Sequence, residues 1–168
     1  MKNLFLIGYM GTGKSTVAAC LSDNYGMEII EMDQEIVERE GMGISNIFSI
    51  KGEAYFRDVE TNLLIEIQTQ ENKVVSCGGG VVLREQNVAE MKKSGQIVLL
   101  TAKPETILER VKDDDSRPLL RGNKNVEFIS TMLEKRRPKY ESAADIVIET
   151  DGKSAEEICR EIYEKIGQ

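Results

Sequence analysis

The stretch Gly8-Tyr9-Met10-Gly11-Thr12-Gly13-Lys14-Ser15 satisfies the spacing G-x-x-x-x-G-K-[ST] at every fixed position, and each part of that pattern serves a polyphosphate. Glycines let successive backbone N–H groups turn toward a β-phosphate. The Lys14 ammonium reaches β- and γ-oxygens, and the Ser15 hydroxyl offers an oxygen ligand to Mg²⁺. The flanks supply the setting the motif needs. Asn3-Leu4-Phe5-Leu6-Ile7 is a short apolar run of buried-strand type, and Ser15-Thr16-Val17-Ala18-Ala19-Cys20-Leu21 reads as the opening turns of a helix. That helix adds the partial positive charge of its N-terminus to the anion site. A plain glycine-rich turn would not require Lys14 and Ser15 at these offsets.

Four further groups of residues could do chemistry. Glu31-Met32-Asp33 closes the second strand-like run, and strand periodicity would put both carboxylates on one side. Asp33 could then orient an alcohol and take its proton as the oxygen attacks phosphorus, or it could cap the helix that follows. Arg57 and Glu60 lie three apart on a helical face, either as a solvated ion pair or as a guanidinium fixed for a bidentate grip on a carboxylate. Gly78-Gly79-Gly80 follows the third strand, where the lack of side chains would let a ligand lie on the backbone. Arg117 in a charged loop and Arg136 in Arg136-Arg137-Pro138-Lys139-Tyr140, at the end of a helix beginning near Val126, are either solvated cations or, for a cation on a mobile loop, a group that neutralises charge on a transferring phosphoryl group.

Elements that must position these groups are legible in the alternation of patterns. Strand-like runs at Leu4–Ile7, Glu28–Ile30, Lys73–Cys77, Ile97–Thr101 and Ile146–Glu149 are each followed by helical spacing, which implies a parallel α/β sheet. Pro104 suits a first helical turn, and Ser154-Ala155-Glu156-Glu157 has the form of a capping box ahead of Ile158, Ile162 and Ile166, with Gly167 as the stop. Residues 33–70 form a long, mostly helical insertion broken by Gly41-Met42-Gly43 and Gly52. Residues 112–124 have the composition of a mobile loop. Ligands of open α/β sheets gather at the carboxyl ends of the strands, so both insertions are candidate substrate and lid segments.

Bulk properties narrow the partners. The chain has 168 residues, enough for one domain covering both faces of a sheet, and a formal charge of −7 that argues against a general binder of nucleic acid or anionic membranes. It has no histidine and only three cysteines, Cys20, Cys77 and Cys159. Their odd number and wide spacing argue against thiolate metal sites and a disulfide framework, and buried thiols in a reducing cytoplasm are expected. The N-terminal apolar run is too short for a signal peptide or a membrane span. Acid–base work must fall to a carboxylate, Lys, Tyr or water.

Taken in order, Gly8–Ser15, Asp33, Gly52-Glu53 with Phe56-Arg57 and Glu60, Gly78-Gly79-Gly80, Arg117-Pro118-Leu119-Leu120, and Arg136 with Pro138 and Tyr140 resemble the shikimate kinase family over nearly the whole chain. The resemblance implies a three-layer α/β/α sandwich with a five-stranded parallel sheet, a P-loop NTPase fold of nucleoside-monophosphate-kinase-like type. It would form one kinase domain over 1–168, with a substrate-binding segment near 33–62 and a lid near 112–124. It implies a cytoplasmic, monomeric enzyme that transfers the ATP γ-phosphoryl group to the 3-hydroxyl of shikimate in aromatic amino-acid biosynthesis, with one Mg²⁺ per subunit. On that resemblance Gly11, Thr12, Gly13, Lys14, Ser15 and Thr16 bind ATP with Arg110 and Arg117, and Ser15 ligates the metal. Asp33, Arg57, Gly79, Gly80 and Arg136 bind shikimate; Asp33, Lys14 and Arg117 carry catalysis; and Glu60 anchors Arg57. The chain departs from many relatives in having Glu31 where Asp is usual, and Ser76-Cys77 where many phosphate-loop proteins place a magnesium-binding Asp.

Two other readings fit parts of the pattern. A kinase of another polyhydroxy acid, such as gluconate, would share the phosphate loop and the lid, but the set Arg57, Gly78 to Gly80 and Arg136 resembles the shikimate pocket. A nucleotide switch would spend its insertions on effector loops and a water-positioning Gln, whereas these carry Arg and Gly suited to a small anion.

Overall fold

The computed structural model describes residues 2–111 and 125–166. The segment expected to form the lid, Arg117 included, and the helix stop at Gly167 lie outside them. Five strands, β1 (Asn3–Ile7), β2 (Glu28–Glu31), β3 (Lys73–Ser76), β4 (Gly95–Thr101) and β5 (Ile146–Glu149), form one sheet in the order β2-β3-β1-β4-β5, every neighbouring pair parallel. The central β1 is buried along its whole length, as a strand covered on both faces must be. Its side chains alternate between the two interiors. Leu4 and Leu6 pack with Val17, Leu21, Ile158 and Ile162 on one side, while Phe5 and Ile7 join Met32, Phe56, Leu64 and Ile129 on the other.

The first of these layers is built by α1 (Lys14–Tyr25) and the last helix, Ala155–Ile166; the second by α2 (Met32–Glu40), α3 (Ile44–Lys51), α4 (Glu53–Ile67), α5 (Glu85–Ser94), α6 (Pro104–Val111) and α7 (Val126–Ala143). With the last helix numbered α8, the result is the expected three-layer α/β/α sandwich. Local chemistry fixes the ends. Gly26 and Gly41 take left-handed φ values of 69° and 71° as the C-caps of α1 and α2. Ser154 and Glu157 exchange the two bonds of a capping box at 3.1 and 3.2 Å. α7 runs further than its sequence suggests: Arg136 to Tyr140 do not end it, because Pro138 is carried inside a helix that continues to Ala143. One lost N–H is tolerated there, with Tyr140 and Ala143 both buried against the core.

Register brings the site's elements level. Glu31 pairs with Ser76, and Ser76 with Leu6, so the chain leaves β2, β3 and β1 at one edge of the sheet. No described helix is long and apolar enough to cross a membrane.

Candidate active site

A cleft of about 780 Å³ opens at that edge, walled by the phosphate loop, α2, α3, α4, the glycine loop after β3 and α7. In the phosphate loop Gly8, Gly11 and Gly13 all adopt positive φ (145°, 80° and 95°), conformations that exclude most side chains. Lys14 Nζ donates to the carbonyls of Gly8 at 2.8 Å and Tyr9 at 3.1 Å, lying along the loop. The first turn of α1 carries no acidic residue, whereas α2, α4 and α5 each carry at least one. With no side-chain cap on α1, its N-terminal dipole is left facing the loop. Thr12 turns inward instead: it is buried, and its hydroxyl and its amide both donate to the Tyr9 carbonyl, at 2.8 and 3.3 Å. Arg110 crosses over the loop and donates to the Gly11 carbonyl at 2.9 Å.

Ser15 Oγ donates to Glu31 Oε2 at 3.1 Å, so the residue expected to ligate the metal has a carboxylate beside it. Among the described residues no three His, Cys, Asp or Glu side chains cluster as a metal cage. One hydroxyl and one carboxylate are a sparse, hard-oxygen set that fits Mg²⁺, which keeps much of its water and completes its shell with phosphate.

Asp33 reaches the cleft, but not by strand periodicity. β2 stops at Glu31 and α2 starts at Met32, so Asp33 sits in the first helical turn. Nor is it the cap, since Glu31 holds that position. Arg57 and Glu60 are no solvated pair: Glu60 is fully buried, Arg57 is 8% exposed, and Arg57 Nη1 donates to Glu60 Oε1 at 3.1 Å. Burial drives the Glu60 carboxyl up to about 7 against the opposing charge and hydrogen bond of Arg57, and the negative charge of Asp33 adds to the rise. Arg136 is also buried.

Two of the three glycines are required first by the protein itself. A methyl at Gly78 would meet Glu60 Oε2 at 2.8 Å and Asp33 Oδ1 at 2.9 Å, and one at Gly80 would meet both Arg57 Nη atoms at 2.5 Å. The sequence pattern points to a ligand as the crowding group. In the structure the crowding at Gly78 and Gly80 comes from the site's own acids and guanidinium.

The sequence pointed at the charged residues and missed their apolar and aromatic frame. Ile44, Phe48 and Phe56 line the cleft beside Arg57 and Asp33, and the i,i+4 spacing of Ile44 and Phe48 was the available signal. Thr61 and Asn87 were missed as well. Thr61 donates to Asn87 Oδ1 at 2.7 Å, and Asn87 Nδ2 donates to the Val81 carbonyl at 2.9 Å, tying α4 to the turn after the glycines.

The profile of the family described as shikimate kinase matches residues 10–167. The chain belongs to the shikimate kinase family. Shikimate kinases of Persephonella marina and Thermodesulfovibrio yellowstonii are 43% and 41% identical to it, each over 99% of this chain and over 99% and 97% of their own lengths. A solved structure described as shikimate kinase from Acinetobacter baumannii in complex with shikimate superposes with a TM-score of 0.93 at 33% identity, covering 99% of this chain and 93% of that one. Members of the family are ATP-dependent enzymes.

Proposed function

We propose that this chain transfers the γ-phosphoryl group of ATP to the 3-hydroxyl of shikimate. The observation that carries the reading is the convergence of two buried guanidiniums, Arg57 and Arg136, with Asp33 on a cleft continuous with the phosphate loop. A guanidinium that is out of water has much to gain from a carboxylate, and two of them select a carboxylate-bearing ligand over a neutral polyol.

In the proposed complex Arg57 and Arg136 grip the acid, with the amides of Gly79 and Gly80 alongside. The Arg57 fork is pre-oriented by Glu60, so little freedom is lost on binding. Asp33 accepts a hydrogen bond from the attacking alcohol and takes its proton as the oxygen meets phosphorus. The main-chain amides of Gly11 to Thr16 hold the β-phosphate, Lys14 neutralises charge on the transferring group, and Arg110 packs over the nucleotide. Ser15 and Glu31 are the residues that would hold Mg²⁺, directly or through water, and the ion would neutralise charge on the β- and γ-oxygens. Segment 33–62 serves as the acid-binding side, with Ile44, Phe48 and Phe56 excluding water. Arg117, outside the described residues, would neutralise charge on the transferring group.

A coupled ADP-release assay with shikimate and gluconate side by side tests this. Turnover is expected with shikimate alone; faster turnover with gluconate, or equal ADP release with neither acceptor, would overturn it.

A further inference from the structure

Tyr9 occupies a variable position of the phosphate loop, and nothing in the mechanism above uses its side chain. Only 1% of it is exposed, and it forms no part of the cleft wall. Its ring nevertheless lies beneath the guanidinium of Arg136, whose Cζ is 5.6 Å from the ring centroid, within the range at which a cation is attracted to an aromatic face.

Arg136 needs such support. It is 5% exposed and its Nη1 is fully buried without a hydrogen-bond partner, although the guanidinium also interacts with the Tyr140 hydroxyl. A guanidinium so placed is costly unless another electrostatic partner offsets its lost hydration. It also abuts the glycine loop, where a methyl at Gly79 would lie 3.4 Å from Nη1. Tyr140, one turn along α7 from Arg136, donates its hydroxyl to the Gly79 carbonyl at 2.5 Å and so fixes that surface. The guanidinium thus has both the Gly79 backbone and the Tyr9 ring as neighbours.

The main chain of Tyr9 is equally constrained. Its carbonyl accepts from Lys14 Nζ at 3.1 Å, from the Thr12 hydroxyl at 2.8 Å and from the Thr12 amide at 3.3 Å. One residue therefore joins the lysine of the nucleotide side to the arginine of the acid side.

We propose that Tyr9 is a positioning residue for acid binding: its ring sets the place and charge environment of Arg136, and so the affinity for a carboxylate that Tyr9 never touches. The inference rests on the proposed role of Arg136 in holding the shikimate carboxylate. The contribution comes from the face of the ring, so phenylalanine can supply it and an aliphatic side chain of similar bulk cannot.

The test uses Tyr9→Leu and Tyr9→Phe in the full chain, with two probes, shikimate and its methyl ester, which keeps the ring and hydroxyls but not the negative charge. Binding is measured by NMR titration, and kinetics and affinity for a non-hydrolysable ATP analogue in parallel. Tyr9→Leu is expected to weaken shikimate binding and raise its KM by roughly tenfold, with kcat and ATP-analogue affinity changed less than about threefold, as loss of uniform binding requires. Ester affinity should change less than about twofold, and Tyr9→Phe should hold the shikimate KM within about threefold of wild type. Equal losses for acid and ester, or Tyr9→Phe as damaging as Tyr9→Leu, would overturn the proposal. Should Tyr9→Leu not fold, Tyr9→Met takes its place under the same criteria. If the wild-type chain itself does not prefer the acid over the ester, the assignment of Arg136 fails, which is a separate result.

Discussion

Adding one methyl group at Gly80 should disable acid binding while leaving the nucleotide side intact. The backbone there has φ −97° and ψ 9°, which alanine can adopt, so the substitution acts through contact rather than strain. The new Cβ would lie 2.5 Å from Arg57 Nη1 and Nη2 and 2.6 Å from Cζ. An ordinary contact needs about 1 Å more, and the guanidinium must retreat by that distance. Its bond to Glu60 Oε1 is already 3.1 Å long and has only about 0.4 Å to spare before it ceases to be a hydrogen bond. Moving Arg57 therefore breaks its own anchor as well as its grip on the acid. Overpacking of this kind costs about 1–3 kcal/mol of stability, and a lost charge-assisted bond to substrate is worth ~1.5–3 kcal/mol, or about a 10- to 100-fold rise in shikimate KM. Steady-state kinetics on Gly80→Ala, with Arg57→Ala and Arg136→Ala setting the scale of full loss, would measure it. A shikimate KM within twofold of wild type, or an equal loss of ATP affinity, would refute the crowding argument.

Three further expectations concern charge. Asp33→Asn is nearly isosteric and should bind ATP normally while kcat falls by about 10²–10⁴; single-turnover transfer at the wild-type rate would remove Asp33 from proton transfer. Glu60 gains proton affinity on folding, so its contribution favours the fold most below pH 4.5 and is lost as pH rises toward about 7. The full swing is about 3 kcal/mol at ~1.4 kcal/mol per tenfold in affinity. Thermal melts across pH 4.5–8 should show the wild type losing stability over that window relative to Glu60→Gln, and parallel curves would contradict the buried-carboxyl account. Arg117→Ala should lower kcat by roughly a hundredfold, with a larger share of ATP lost to hydrolysis; an unchanged kcat would rule out a lid cation acting on the transferring group.

The fold was readable because each strand is short, apolar and followed by helical spacing, and because parallel sheets of this kind bring the strand ends to one edge. The phosphate loop was readable because its spacing leaves few alternatives. Asp33 was found for a partly wrong reason: the pattern of Glu31 and Asp33 suits either a strand end or a helix start, and only the completed chain shows α2 beginning at Met32. The state of Arg57 and Glu60 could not be read at all, because the same i,i+3 pair is a solvated bridge on one helix face and a buried anchor on another. Burial decided it, and burial is a property of what packs around the helix. Tyr9 was invisible for a related reason. Its partner Arg136 is 127 residues away in sequence, and nothing local marks an aromatic that will lie under a guanidinium.

The central claim is that one cleft holds ATP and a small acid so that an alcohol oxygen meets the terminal phosphorus. Following purified protein, Mg·ATP and shikimate by ³¹P NMR tests it most directly. The account predicts a phosphate monoester signal growing in step with ADP and little inorganic phosphate. Inorganic phosphate as the main product, or no change while both ligands are demonstrably bound, would contradict it.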